Sequence, residues 1–400
     1  MINQPAQIFT PAERISSFKP YFFARLEPKI QDLKRNGMDV IRLDMGSPDL
    51  PPADFIIKKL STSINDPHAH GYTPFGGTLQ FKQAVADYYL HRFNVNVDPS
   101  TQVISLIGSK EGLFGFGQVL TNPGDYNLIT DPCYPVYQAT ATIAGGKIHF
   151  LPLTEQNDYM PDLDGIPEEV LNKAKILWLN YPNNPTGAIA TESFLNKAVQ
   201  FAKKYTIAIA YDAPYTDVCF DGYKAPSILQ IPGAMDVCVE FNSLSKTYNM
   251  AGWRIGMAVG NPELIRYLLT YKSQIDSSIL RGILDAGTTA LTGDQSWIIE
   301  RNQIYCERRN VVLDYLNQLG IKVNKPLAGL YVWFKLPDKL ADDVSFCDSL
   351  LLETGVSLTP GSVYGEQGKG YVRICLATPI EQIKKAMDRF SNWVTRKLHS

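Results

Sequence analysis

Between residues 102 and 242, short apolar runs alternate with longer segments of mixed polarity. "QVISLI" (102–107) precedes "SKEGLFGFGQVL" (109–120), and "YNLIT" (126–130) precedes "YPVYQATATIAG" (134–145). "KILWLN" (175–180), "IAIAYD" (207–212) and "DVCVEFN" (236–242) follow, with helical or loop segments between them. Apolar runs this short, bounded by turn residues, predict buried strands, and their alternation with helices predicts a mostly parallel sheet wrapped by helices, an α/β arrangement. Beyond about residue 290 the pattern changes. A helix-compatible stretch at 294–318 leads to "GLYVWFKL" (329–336), a further helix, "GVSLTP" (355–360), "YVRICLA" (371–377) and a last helix near 380–397. This predicts a smaller α+β domain. The division expected is a large domain over 46–290 and a small domain over 291–400, joined by residues 1–45 folding back onto it.

Length and composition narrow the class. At 400 residues the chain exceeds the roughly 100–200 residues of one domain. A formal net charge of -2 and 20% charged residues give no field suited to nucleic acid or an anionic membrane, so a small metabolite is the expected partner. The start "MINQPAQIFTPAERISSF" has neither a basic beginning nor an apolar core, and no apolar run approaches the roughly 20 residues of a bilayer span, so a cytoplasmic protein is expected. Six cysteines stand singly, and His68 and His70 lie in a turn-rich stretch, so no metal is assigned.

The chemistry falls at the ends of the expected strands. Ligands of open α/β sheets bind beyond the carboxyl ends of the strands. There stand Gly108-Ser109-Lys110, the loop "NYPNNPTG" (180–187), Asp212 with Tyr215, and Ser243, Ser245 and Lys246. Gly108 and Ser109 turn from a strand into a helix N-terminus, which attracts anions, and Arg254 adds a planar fork of donors. Flanked by apolar "GWRIGMAVG", an unpaired guanidinium there is expected to be costly and to need an anionic partner. Neither a GxxxxGK[ST] loop nor a GxGxxG fingerprint is present. A phosphorylated cofactor that also needs a lysine and a carboxylate is pyridoxal phosphate, whose aldehyde takes a lysine amine and whose ring nitrogen needs an adjacent carboxylate.

With "NNPTG" (183–187), "YDAPY" (211–215), "SLSKTYNMAGWRIG" (243–256) and "YVRICLA" in that order, the chain resembles the class I/II aminotransferases of the fold type I pyridoxal-phosphate superfamily over nearly its whole length. The resemblance implies that Lys246 bonds the cofactor and shuttles the Cα proton. It pairs Asp212 with the ring nitrogen, sets Asn184 and Tyr215 on the phenolic oxygen and stacks Tyr134 on the ring. The phosphate takes Ser109, Ser243, Ser245, Arg254 and the amides near Gly108 and Lys110, with Tyr72 reaching in from a second subunit of a homodimer. Arg373 clamps the substrate carboxylate beside Gly46, and an amino acid and a 2-oxo acid exchange nitrogen by a ping-pong cycle.

Stretches such as "IRLDMGSPDLPP", "GSKEGL" and "DPCYPVYQATATIAGG" most resemble the LL-diaminopimelate aminotransferase-like branch, which implies lysine biosynthesis. That branch tends to carry aspartate where Ser47 stands and a glutamine-like residue at Arg281. Arg281 either pairs with a dicarboxylic side chain at the neighbouring subunit's site or points into solvent. Aspartate, alanine, methionine and aromatic donors stay open, as does a carbon-sulfur lyase, because fold and branch do not fix the reaction outcome. Ser243 to Lys246 also matches the SxxK of serine acyl-enzymes, but no KTG accompanies it. A cofactor-fold regulator needs an added DNA-binding domain, for which the chain has no room.

Overall fold

The computed structural model describes residues 9–16, 18 and 21–399. The chain begins with α1 (Glu13–Ser16), α2 (Phe22–Arg35) and β1 (Ile41–Arg42), then passes through α3 (Asp54–Ile64) and α4 (Leu79–Phe93) into the main sheet. That sheet comprises β2 (Val103–Leu106), β3 (Tyr126–Asp131), β4 (Lys147–Pro152), β5 (Ala174–Asn180), β6 (Ala208–Asp212), β7 (Cys238–Ser243) and β8 (Gly256–Gly260). Helices α5 (Ser109–Leu120), α6 (Val136–Ile143), α7 (Glu168–Leu171), α8 (Glu192–Tyr205) and the single turn α9 (Leu244–Thr247) connect them.

The sheet order is β2-β8-β7-β6-β5-β3-β4. β8 is antiparallel to both neighbours, so β2 runs parallel to β7 and six of the seven strands point one way. Successive side chains of β5 enter opposite layers: Ile176 and Trp178 one, Leu177 and Leu179 the other. Because both faces are covered, the strands read as unbroken apolar runs rather than alternating ones. The lone reversed strand, β8, and the partly exposed edge strand β4 were not expected from the sequence. β8 is short and contains two glycines, and β4 carries Lys147 and His149 among its apolar residues, so each gives a weak strand pattern.

After α10 (Pro262–Lys272) and α11 (Arg281–Thr292), the 23-residue α12 (Ser296–Gln318) leads to a second core. There β9 (Tyr331–Lys335), β11 (Thr359–Pro360) and β12 (Tyr371–Cys375) form an antiparallel sheet in the order β11-β12-β9. β10 (Val356–Ser357) pairs in parallel with β1, so the expected single strand at 355–360 is split in two. Helices α13 (Asp343–Thr354) and α14 (Ile380–His399) cover this sheet, and Ile41, Leu43, Val356, Ile374, Phe390 and Trp393 share its core. One stripe of α12, Arg301, Tyr305, Arg308, Arg309, Val312 and Leu316, is buried at helical spacing. Among the described residues no helix is long and apolar enough to cross a membrane, and no group of three or more His, Cys, Asp or Glu is placed to hold a metal.

Candidate active site

The parallel strands β2, β5, β6 and β7 end at the wall of one cavity of about 330 Å³. It is lined by Gly46, Ser109, Lys110, Tyr134, Asn184, Asp212, Tyr215, Ser243, Ser245, Lys246, Arg254 and Arg373. Register explains the convergence. Asn180 at the end of β5 is the cross-strand partner of Asp212 at the end of β6, and Ser243 at the end of β7 is the partner of Gly256 at the start of β8. The reversed strand therefore delivers Arg254 from its beginning to the edge where the others deliver their ends.

Gly108, with φ +74°, turns the chain from β2 into α5, and a Cβ on it would overlap the Arg254 guanidinium. A side chain is disfavoured there both by backbone conformation and by that close approach. The first amides of α5 have no partner within the helix, and the dipole adds partial positive charge at that end. Gly46 is likewise hemmed in, because a Cβ there would overlap the Tyr331 hydroxyl.

Arg254 differs from the sequence expectation. Its apolar neighbours do not bury it: it is exposed toward the cavity, in the left-handed region at φ +56°, donating to Ala251 O (2.8 Å). No carboxylate pairs with it among the described residues. A left-handed conformation costs a non-glycine residue about 1 kcal/mol or more, and such strain gathers at functional sites.

Asp212 is 4% exposed. Tyr137 donates to its Oδ2 (2.6 Å), while Oδ1 is buried without a partner. Desolvation pushes this carboxyl up to about 7, opposed by the bond from Tyr137. Tyr137 stacks on Trp178, with ring centroids 5.1 Å apart, which fixes its hydroxyl. Lys246 is part-buried and donates to the Gly46 carbonyl, and desolvation draws its ammonium down to about 8. Tyr215 and Tyr331 hydroxyls lie 2.8 Å apart. Arg373, 3% exposed, donates to Asn184 Oδ1 (2.8 Å) and Asp44 O (2.6 Å), and its Nε has no partner. Among the described residues no carboxylate meets it; burial opposes its charge, and the ring hydroxyls of Tyr364, Tyr331 and Tyr215 outweigh that and hold its pKa above the usual value.

Two expected residues stand apart from this chain's cavity. Tyr72 is 90% exposed. Arg281 faces Asp66 (3.8 Å) and Asp285 (3.7 Å) at the surface, at the start of α11. The cavity also has walls that sequence reasoning did not pick out: Tyr21, Phe23, Met45, Asn180, Tyr331 and Tyr364. Tyr137 was missed too: it is the second residue of α6, three positions after Tyr134, which precedes that helix.

The cofactor-free protein should lose stability as pH rises from about 4 to about 7. A carboxyl whose folded pKa is raised keeps a proton that the unfolded chain has already released, so folding is favoured at the acid end of that window and the advantage is gone above it. The effect is on the order of 4 kcal/mol. Thermal midpoints at pH 5 and 7.5 should differ less in Asp212→Asn than in the wild type. Buried Glu240, also raised to about 7, contributes equally to both and cancels in the comparison. Equal slopes would show that Asp212 is already ionised.

Fold and site together define a transferase of nitrogenous groups. The aminotransferase class I and II family model matches residues 38–390, and the chain belongs to that family. It is 44% identical over 378 residues to the LL-diaminopimelate aminotransferase of Moorella thermoacetica, covering 94% of this chain and 97% of that one. With the enzyme of the same name from Maridesulfovibrio salexigens it shares 45% over 384 residues, 96% and 99% of the two chains. Among solved structures, substrate-bound BacF of Bacillus subtilis superposes with a TM-score of 0.92 at 34% identity, covering 96% and 98%. The aspartate aminotransferase of Thermotoga maritima gives 0.89 at 29% identity, covering 96% and 100%. The chain is thus an enzyme that moves an amino group from an amino acid to a 2-oxo acid.

Proposed function

We propose that the cavity binds pyridoxal 5'-phosphate and that the enzyme exchanges the amino group between LL-diaminopimelate and the 2-oxoglutarate/glutamate pair, as in lysine biosynthesis. The observation that carries the cofactor assignment is the buried Asp212 Oδ1, an acceptor without a donor in the same cavity as Lys246. A protonated ring nitrogen is the donor it lacks, and a bound cation would return Asp212 to its ionised form. The exposed Arg254 fork, the Ser109, Ser243 and Ser245 hydroxyls and the first amides of α5 suit a phosphate. When bound, the cofactor supplies an electron sink for the charge left on Cα as its proton departs.

The chain's own residues do the rest. Lys246 holds and moves the Cα proton, its pKa near 8 keeping acid and base forms accessible near neutral pH. Tyr134 would cover one face of the ring, and Asn184 and Tyr215 would orient its phenolic oxygen. Arg373 presents a second hydrogen on each terminal nitrogen to the substrate's α-carboxylate, beside the open backbone at Gly46. Lys110 supports a substrate with a second anionic group: its ammonium lies over the rings of Tyr21 (5.0 Å) and Tyr134 (5.8 Å), without a carboxylate partner among the described residues.

A homodimer completes the proposal, with Tyr72 and Arg281 serving the neighbour's site. Tyr72 lies among exposed Phe75, Leu79, Ile275 and Leu280, and Thr73 ties the two segments together through Ser278 and Ile279. Apolar surface of this kind marks an interaction site. Sedimentation should return a dimer, and Tyr72→Phe should weaken cofactor retention without dissociating it; a fully active monomer would remove Tyr72 from the site.

Visible absorbance of the purified protein tests the whole reading. A yellow band should be bleached by LL-diaminopimelate and by glutamate and restored by 2-oxoglutarate. Aspartate, alanine, methionine or phenylalanine bleaching in their place would reassign the substrate. Release of pyruvate and ammonia without bleaching would favour a lyase.

A further inference from the structure

Two of the three buried arginines of helix α12, Arg301 and Arg308, reach out of the helix to segments that border the cavity. Arg301, 3% exposed, donates to Lys246 O (2.5 Å) and Thr247 O (2.6 Å) through Nη1, and to Asp217 O (2.9 Å) through Nη2. Because α9 is a single turn, these two carbonyls have no partner further along it, and the guanidinium supplies their donors. Arg308, also 3% exposed, grips Asp49 with both terminal nitrogens (2.7 and 2.9 Å) and donates to Leu376 O (3.1 Å). Asp49 stands three residues after Gly46, and Leu376 three residues after Arg373.

One end of the helix therefore holds the backbone of Lys246, and a point two turns on holds both segments that frame the carboxylate clamp. Seven residues of α-helix span about 10 Å and return to the same face. Neither arginine lines the cavity. A lysine in either place could not reach several acceptors in one plane at once.

We propose that α12 is a strut that sets the position of the Lys246 backbone relative to Gly46 and Arg373, with Arg301 and Arg308 as positioning residues at its two anchor points. The inference rests on the roles assigned above to Lys246 and Arg373. A strut fails when either end is released, so the second release adds little.

The test compares Arg301→Lys, Arg308→Lys and the double variant. Asp49→Asn frees the Arg308 end without altering α12, should the Arg308 variant not fold. Each single change should lower kcat about tenfold with little change in KM, and the double change about tenfold again relative to wild type rather than a hundredfold. Both guanidiniums also lie over the Tyr305 ring (5.9 and 5.2 Å), so the cycle is repeated in Tyr305→Leu: non-additivity carried by the helix persists there, and its disappearance would overturn the strut. In the cofactor-free protein, hydrogen exchange should quicken at residues 244–249 in Arg308→Lys or Asp49→Asn, and at residues 46–49 in Arg301→Lys, each measured in a Lys246→Ala, Asn249→Ala background that removes the direct bonds of the lysine turn to Gly46 O and Pro51 O. Multiplying kcat losses, or exchange changes confined to each arginine's own contacts, would overturn the strut. The exchange measurement needs neither cofactor nor turnover, so it separates failure of the strut from failure of the Lys246 assignment.

Discussion

Lys246→Ala should slow transamination by about 10⁴-fold or more while leaving the fold intact, because in the mechanism proposed above it removes both the covalent partner and the proton carrier. Among the described residues the other amine on the cavity wall, Lys110, lies against two aromatic rings and is already engaged there. Stability should move the opposite way. Folding draws the Lys246 pKa down to about 8, so the cost of holding it charged in the cavity is present below that pH and relieved as pH rises toward the unfolded value near 10.5. At pH 7 the cofactor-free alanine variant should therefore melt a few degrees above the wild type. Steady-state turnover by the variant would remove Lys246 from the mechanism. A lower melting temperature would mean that its bond to the Gly46 carbonyl outweighs the desolvation.

Arg373→Lys should lower kcat/KM by about 10²- to 10³-fold, chiefly through KM. The guanidinium is held in plane by Asn184 and Asp44 and lies 4.0 Å from the Tyr331 ring centroid. An ammonium keeps the charge but loses the fork, and it leaves the Asn184 oxygen without its donor. Donor amino acid and acceptor oxo acid share the α-carboxylate, so initial rates should show equal factors for both substrates. A loss confined to one of them would mean that Arg373 reads a side chain instead.

The strands that the sequence revealed best are those buried on both faces. Their apolar runs are continuous, and each ends on a polar residue that has to face the cavity: Asn180, Asp212 and Ser243. What stayed hidden depends on which segments meet. Tyr364 closes the 3-10 turn Gly361–Tyr364 that follows β11, and Tyr21 precedes α2, some 340 residues earlier, yet both reach one cavity. No local pattern encodes that meeting. Arg254 was placed in the right loop but in the wrong environment, because flanking apolar residues predict burial only when the backbone continues as a strand. Here the left-handed turn at Arg254 redirects its side chain before β8 begins. Tyr72 and Arg281 lie away from this chain's cavity, and the roles proposed for them at a neighbour's site involve a second copy that one chain's sequence does not encode.

The reversal of β8 has one more consequence. Ser243 and Gly256 face each other across adjacent strands, so the loop between them, which carries both Lys246 and Arg254, is closed at its base by the sheet. Its contour length acts as a ruler between amine and guanidinium. This span is set by the large sheet alone and owes nothing to the small one, so a single residue inserted between Leu244 and Ile255 would change it with no remedy elsewhere in the molecule.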